Sequence, residues 1–457
     1  MPAAKPPSSE RAPLSRADAR RRRSTFRRRR MLFGAGFVVL VIAVTLLARG
    51  GAGASRQGGP RGTQGQSGSA QAAKTSNPAG VHHGSGASAR SAGTRGRTLR
   101  GGASSTASRS SSWTPASWLA SLEAKVKGQP GHLQPGSNPS VLPGPVLIAD
   151  RNNSRLLLVD PKGRILWQFP APGDLAPGQT FLSPDDAFFG PHGGHIIATQ
   201  ESDFTISVIS LKTGHISWHY GHPGTPGSGP GYVDNPDDAM LLPNGNVIAA
   251  DIKNCRLLYL SRSDPAPVHI YGLTDPYCYH EPPYRFGSPN GMFPMTNGNW
   301  IVTEIDGDWV DEMTPAGRIL WSVHPPGITY PSDTNEVSPG LFLTAAYTKP
   351  GVVEEFTSTG QLIWRYAPTG AQALDQPSLA LPLPNGDVLL NDDWNDRVIV
   401  VDPKTNQVVW QYGVTGVPGS APGYLYKPDG VDLAPPYSLL VTHAPTIGIP
   451  PYPVPAG

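Results

Sequence analysis

Cysteine is nearly missing from this 457-residue sequence, which has two, and aromatic residues make up only 8%. Two cysteines allow one pairing at most, so no disulfide framework can hold the fold together. No CxxC, no HExxH and no glycine loop leading from a strand into a helix occurs, which leaves redox, zinc-protease and phosphate-cradling motifs unrepresented. Acidic residues are scarce in one region only. Residues 1–112 carry 20 Lys and Arg against two acids, and residues 113–457 carry 17 against 32. The formal net charge of +3 conceals this division. The part able to fold is acidic, and nucleic acid is not among its expected partners.

What the chain has in excess is glycine (53) and proline (51), together with one long uncharged run. Residues 1–30 form a basic tail ending in Arg20–Arg23 and Arg27–Arg30, and 31–48 reads MLFGAGFVVLVIAVTLLA. As a helix those residues would span roughly 27 Å, close to the ~30 Å hydrocarbon core of a bilayer. Arginines placed just before such a segment stay cytoplasmic, so the rest of the chain is expected outside. A cleaved signal peptide is the alternative, because Ala52-Gly53-Ala54 offers small residues of the cleavage type. Residues 49–112 are Gly, Ser, Ala, Thr and Arg with almost no large apolar side chain. Such a segment buries too little surface to offset its ordering entropy and is expected to be a disordered linker. In 113–143 the spacing of Trp118, Leu122 and Val126 predicts a short helix over Pro115–Val126, followed by a spacer.

From 144 to 445 the sequence repeats. Its clearest unit, residues 377–413, reads as four short apolar strands, Leu379–Leu383, Val388–Asn391, Val398–Asp402 and Gln407–Tyr412. The strands are separated by Asn-Gly and Asx turns. The last hairpin recurs with a tryptophan at one position: Trp167, Trp218, Trp321, Trp364 and Trp410. Units begin near Pro184, Pro236, Pro289, Pro331, Pro377 and Pro428. Four strands at this period predict an all-β, six-bladed β-propeller of four-stranded antiparallel blades. The first unit lacks its inner strand, and Pro428–Pro435 offers it, so the two ends should share one blade. Ser438–His443 reads as one more strand, and the Pro-rich 446–457 as a tail or a strap.

A meander places the turns after second strands on one face with the links between blades. That face collects Asp150, Glu201, Asp203, Asp251, Glu304, Asp306, Asp308, Asp392, Asp393 and Asp396. Asp251, Glu304, Asp306, Asp392 and Asp393 are the candidate ligand-binding residues, expected to gather round one channel mouth, with Asp306 and Asp392 in exposed turns. A divalent cation, a cationic ligand, a protein or a cell-wall polymer would suit such a rim. Turn chemistry is the competing explanation: Asp-x-x-Asn-x-Arg, as in Asp150/Asn153/Arg155 and Asp251/Asn254/Arg256, can serve hydrogen bonding alone. No ligand spacing identifies a metal site or a cofactor. His222, His280 and His443 are the histidines expected near the channel, each a candidate base or nucleophile. Cys255 and Cys278 fall on the same face of one unit, which in an exported chain favours a disulfide over a free buried pair.

The PNGN turns and tryptophan hairpins resemble bacterial NHL and PQQ-like repeat propellers, with features of arylsulfotransferase-type propellers, over residues 144–445. In PQQ dehydrogenases this hairpin locks eight blades round the quinone, whereas six units are visible here. Arylsulfotransferase-like propellers commonly open the strand before PNGN with a His-Asp pair; this chain has Asp185-Asp186 and Asp237-Asp238 there. The sequence therefore predicts a membrane-anchored, extracytoplasmic propeller acting as a binding module at the cell surface. An arylsulfotransferase-like or hydrolytic enzyme and a structural scaffold are the alternatives.

Overall fold

Short apolar strands with Asx and Gly turns between them can bury their backbone groups only by pairing with one another, and the six repeats do so. The computed structural model describes residues 113–275 and 277–454. The basic tail, the expected membrane helix over 31–48 and the linker over 49–112 lie outside the described residues. Within them, six sheets of four antiparallel strands form the blades of a propeller. Blade 6 shows the pattern: Ala380–Pro382, Val388–Asp392, Arg397–Asp402 and Gln407–Tyr412, from the channel outward. In most blades the first three strands are buried on both faces, while the outer strand is partly exposed, as Trp309–Met313 and Ile319–Val323 show. Leucine, valine and isoleucine between blades form the core.

Blade 1 is closed by the two ends of the domain. Pro428–Leu433 pairs with Val146–Asp150, which in turn pairs with Arg155–Val159. Ring closure removes the unpaired edge an open sheet would expose. The segment expected as a further strand is instead a helix, Leu439–His443. Val146–Asp150 already holds the second place in the blade, so no edge remains for another copy. Asp432 receives the Leu439 and Leu433 amides at 3.0 and 2.8 Å on one oxygen and the Phe189 amide at 2.9 Å on the other, turning the chain into that helix. The tail is a strap. Tyr452 stacks on His269 at 3.6 Å and donates to the Ala316 carbonyl.

That strap explains the missing tryptophan. In five blades the tryptophan of the outer strand sits opposite the residue just before a register shift, as Trp321 does opposite Glu312 and Trp410 opposite Val400. His269 holds this place in blade 3, and Tyr452 covers it. Burial of the tryptophans is unequal. Trp410 is fully buried, because the spacer pairs with its strand through the Gln134 and Asn138 amides. Its indole N–H also reaches the Pro161 carbonyl of blade 1. Trp167, Trp218, Trp321 and Trp364 remain half-buried, which narrows the expectation of a buried inter-blade tryptophan to one position. Trp321 and Trp364 still reach the next blade, through Phe342 and Asn406. The helix Pro115–Lys125 begins at a Thr114 cap and lays Leu122 and Trp118 against blade 1, with Trp118 edge-on to Trp167.

Candidate functional site

Each inner strand opens with the same local device. The residue before its proline has a left-handed backbone: Ser183, Asn235, Ser288, Tyr330, Gln376 and Lys427, with φ between 47 and 58°. A residue preceding proline is steered away from the right-handed helical region, and a non-glycine residue at positive φ is costly unless its surroundings hold it there. Six copies of this turn bring the chain from the inter-blade link into the channel. The first residue after the proline is always polar: Asp185, Asp237, Asn290, Ser332, Ser378 and Asp429. The second is Asp186, Asp238, Gly291, Asp333, Leu379 and Gly430. All these polar side chains are buried.

Two layers follow, with different electrostatics. In the mouth, the Arg151 guanidinium pairs with Asp185, Asp429 and Glu201. Burial works to raise Asp429, but Arg151 and hydrogen bonds from Asp185 and Asp393 hold it below its ordinary value. Deeper, the carboxylates of Asp186, Asp237, Asp238 and Asp333 offer oxygens that all lie within 4.8 Å of one another. Both oxygens of Asp238, both of Asp333 and one of Asp186 meet no hydrogen-bond donor. Burial and mutual repulsion push Asp186 and Asp238 well above the usual carboxylate range, and burial pushes Asp333 up to about 7. Glycine makes the convergence possible. A Cβ at Gly291 would collide with the carboxylates of Asp333 and Asp238, and one at Gly430 with that of Asp186.

The residues expected to bind ligand are placed otherwise. Asp251 and Asp392 are not exposed turn residues; both are fully buried. Arg256 donates to Asp251 at 2.8 Å and Arg397 to Asp392 at 2.8 Å, with Asn254 and Asn395 completing each set. The turn-chemistry explanation holds for these two, because a carboxylate next to an arginine on a paired strand is closed by it. Asp393 is buried beside the channel and accepts from Asn391 at 2.7 Å. Asp306 is half-exposed and accepts from Ser288 at 2.7 Å. Glu304 is buried in blade 4 against His280.

The three histidines do not converge. His222 is exposed in a link and stacks on Tyr232. His443 lies on the opposite face, since its helix follows Leu433, the end of the inner strand away from the mouth. His280 alone stands among carboxylates. Cys255 and Cys278 are joined in a disulfide that ties the link bearing His280 to the turn after Asp251. What the sequence reading missed is the aspartate ring. Its signal was the polar residue after every unit-opening proline, which only the closed ring assembles into one place.

Round the mouth stand Tyr330 and Tyr347, with ring centroids 5.6 Å apart, and exposed Trp394, whose indole N–H reaches the Tyr347 hydroxyl at 3.3 Å. Lys427 lies over the Trp394 ring.

No protein-family model matches the chain, and no curated protein matches it in sequence. Among solved structures, a protein of unknown function from Bacteroides caccae is 14% identical, covering 63% of this chain and 98% of its own, with a TM-score of 0.43. The WD40 β-propeller domain of Doa1 is 12% identical over 59% of this chain and 78% of its own, TM-score 0.40. A virginiamycin B lyase from Staphylococcus aureus is 16% identical over 52% of this chain and 71% of its own, TM-score 0.37. These likenesses are weak, and the six-bladed assignment rests on the sheet pairing itself.

Proposed function

We propose that this chain is a membrane-tethered, extracytoplasmic binding module whose propeller channel takes a hard divalent cation. The observation that carries this reading is the convergence of Asp186, Asp238 and Asp333, five of whose six oxygens have no donor. Buried carboxylates without partners are costly, and an all-oxygen set of several aspartates suits calcium, magnesium or manganese. The mouth above it, with Arg151, Tyr330, Tyr347 and Trp394, supplies aromatic and charged surface for a ligand bridged by that ion. The enzyme alternative draws less support, because the candidate bases His222 and His443 stand away from the channel carboxylates.

Titration calorimetry and thermal melts of the full chain with CaCl2, MgCl2 and MnCl2 test this. One ion should bind, and at a free concentration 100 times its Kd it should stabilise the fold by about 2.7 kcal/mol. Asp238→Asn combined with Asp333→Asn should abolish that response while raising the ion-free melting temperature, since two repelling carboxyls are removed. No stabilisation by any of the three ions, or an equal response in the double variant, would refute the reading.

The tether is proposed from Arg20–Arg30 and the apolar run over 31–48. Protease added to intact cells or spheroplasts should degrade the propeller and spare a small N-terminal fragment. A propeller protected until lysis would overturn the topology.

A further inference from the structure

Four blades end their second strand in an acid, and blade 4 is the one that leaves this acid without an arginine opposite. In blades 1, 3 and 6 the second strand ends in Asp150, Asp251 and Asp392, and the residue opposite each is Arg155, Arg256 and Arg397. Each arginine donates to its aspartate. In blade 4 the second strand ends in Glu304, and the residue opposite it is Trp309. The neutralising arginine is gone.

Two residues further along the third strand the difference grows. Where blades 1, 3 and 6 have Leu157, Leu258 and Ile399, blade 4 has Asp311. Blade 5 also has an acid there, Glu354, and Arg365 donates to it at 3.0 Å. Asp311 has no such partner. It is fully buried, as is Glu304, and neither of its oxygens meets a hydrogen-bond donor. Ser322 stands opposite Asp311 on the outer strand, and the basic side chain beside both acids is His280, whose Nδ1 lies 3.1 Å from Glu304 Oε1 and 3.8 Å from Asp311 Oδ2. The His280 ring stacks on Trp309 at 4.2 Å, so the residue that displaced the arginine holds the imidazole in place. Cys278, two residues earlier, is covalently fixed to Cys255.

We infer that His280, Glu304 and Asp311 form a second metal site, for a divalent transition ion of the zinc class. Their donor atoms all lie within 4.8 Å of one another, and the group shares no residue with the channel carboxylates. One imidazole and two carboxylates make a mixed nitrogen–oxygen set that suits zinc better than calcium or magnesium. Three protein ligands leave a fourth position open. His280 keeps 18% of its side chain exposed, giving that position a path to solvent. The Gly287 amide donates to the other Glu304 oxygen and orients it, as outer partners of metal ligands do. Burial raises Glu304 to about 7 and, with Glu304 beside it, lifts Asp311 well above the usual range.

The test is zinc uptake by the full chain, followed by equilibrium dialysis and by zinc-edge X-ray absorption. One zinc per chain with a single imidazole and oxygen neighbours is expected. His280→Ala should remove the imidazole signal and weaken binding by more than the ~10–100-fold that loss of an outer partner costs. Asp311→Leu, which restores the residue type of blades 1 and 3, should abolish zinc binding while keeping or raising the melting temperature in zinc-free buffer. Asp238→Asn in the channel should leave the imidazole-bound zinc in place. The inference is overturned if the wild-type chain takes up no zinc, or if His280→Ala and Asp311→Leu bind it as the wild type does. Loss of zinc in Asp238→Asn with retention in His280→Ala would also overturn it, since the ion would then sit in the channel.

Discussion

Replacing Arg397 by alanine is expected to destabilise the propeller by ~3–5 kcal/mol, the usual consequence of breaking a buried ion pair from one side. Asp392 is fully buried and Arg397 almost so. The guanidinium donates to Asp392 at 2.8 Å and to Thr415 at 3.2 Å, which ties the turn of blade 6 to the link that follows it. Removing it leaves a carboxylate held only by the Asp375 amide and the Asn395 side chain, at 2.7 and 2.8 Å. Half-exposed Asp306, mutated to asparagine, should change stability by no more than about 0.5 kcal/mol, as surface substitutions generally do. Urea melts of the two variants make the comparison. If Arg397→Ala is too unstable to purify, the double variant Asp392→Leu, Arg397→Met should recover much of the loss, because a well-packed apolar pair often replaces an ion pair without penalty. A wild-type melt for Arg397→Ala would show that the pair contributes nothing.

Trp410→Ala is expected to cost a further ~3–5 kcal/mol when made alone, the range for truncating a buried aromatic side chain. Typical domain stability is ~5–15 kcal/mol, so this one change threatens the fold. Trp410 fills the space between blade 6, the spacer and blade 1, and its N–H reaches the Pro161 carbonyl at 2.9 Å. It thus clamps the blade that carries both ends of the domain. Trp364, at the same repeat position but half-buried, should cost clearly less when truncated to alanine. Paired thermal melts decide the matter. Equal losses at the two positions would mean that the repeat position, and not its local burial, sets the contribution.

Much of the architecture could be read from the chain because it depends on local chemistry. Asn-Gly turns, Asx turns and short apolar runs determine a four-stranded unit wherever they occur, and the blade 6 strands expected from them agree with those observed to within a residue or two. Pro428–Pro435 could be assigned to blade 1 because that unit lacks an inner strand, but two segments, Val146–Ala149 and Ser438–Thr442, competed for its second place until the pairing decided between them. Ser438–His443 was legible only as an apolar run. Its turn into a helix depended on Asp432 and on a blade place already taken, both of which are tertiary facts.

The sites divide in the same way. By itself the sequence determined that carboxylates gather on one face, because alternation in a meander follows from strand count alone. Which of them are closed by a cation was decided by pairing across strands. Asp251 and Asp392 face arginines on neighbouring strands, while Glu304 faces a tryptophan. The channel group was decided later still. Asp186, Asp238 and Asp333 come from three blades and are separated by 52 to 147 residues along the chain, and no local spacing encodes their approach. Ring closure, together with two glycines that leave room for the carboxylates, brings them within reach of one ion. Local sequence determines strands and turns through short-range hydrogen bonds and sterics; the meeting of charges from separate blades is a property of the closed ring.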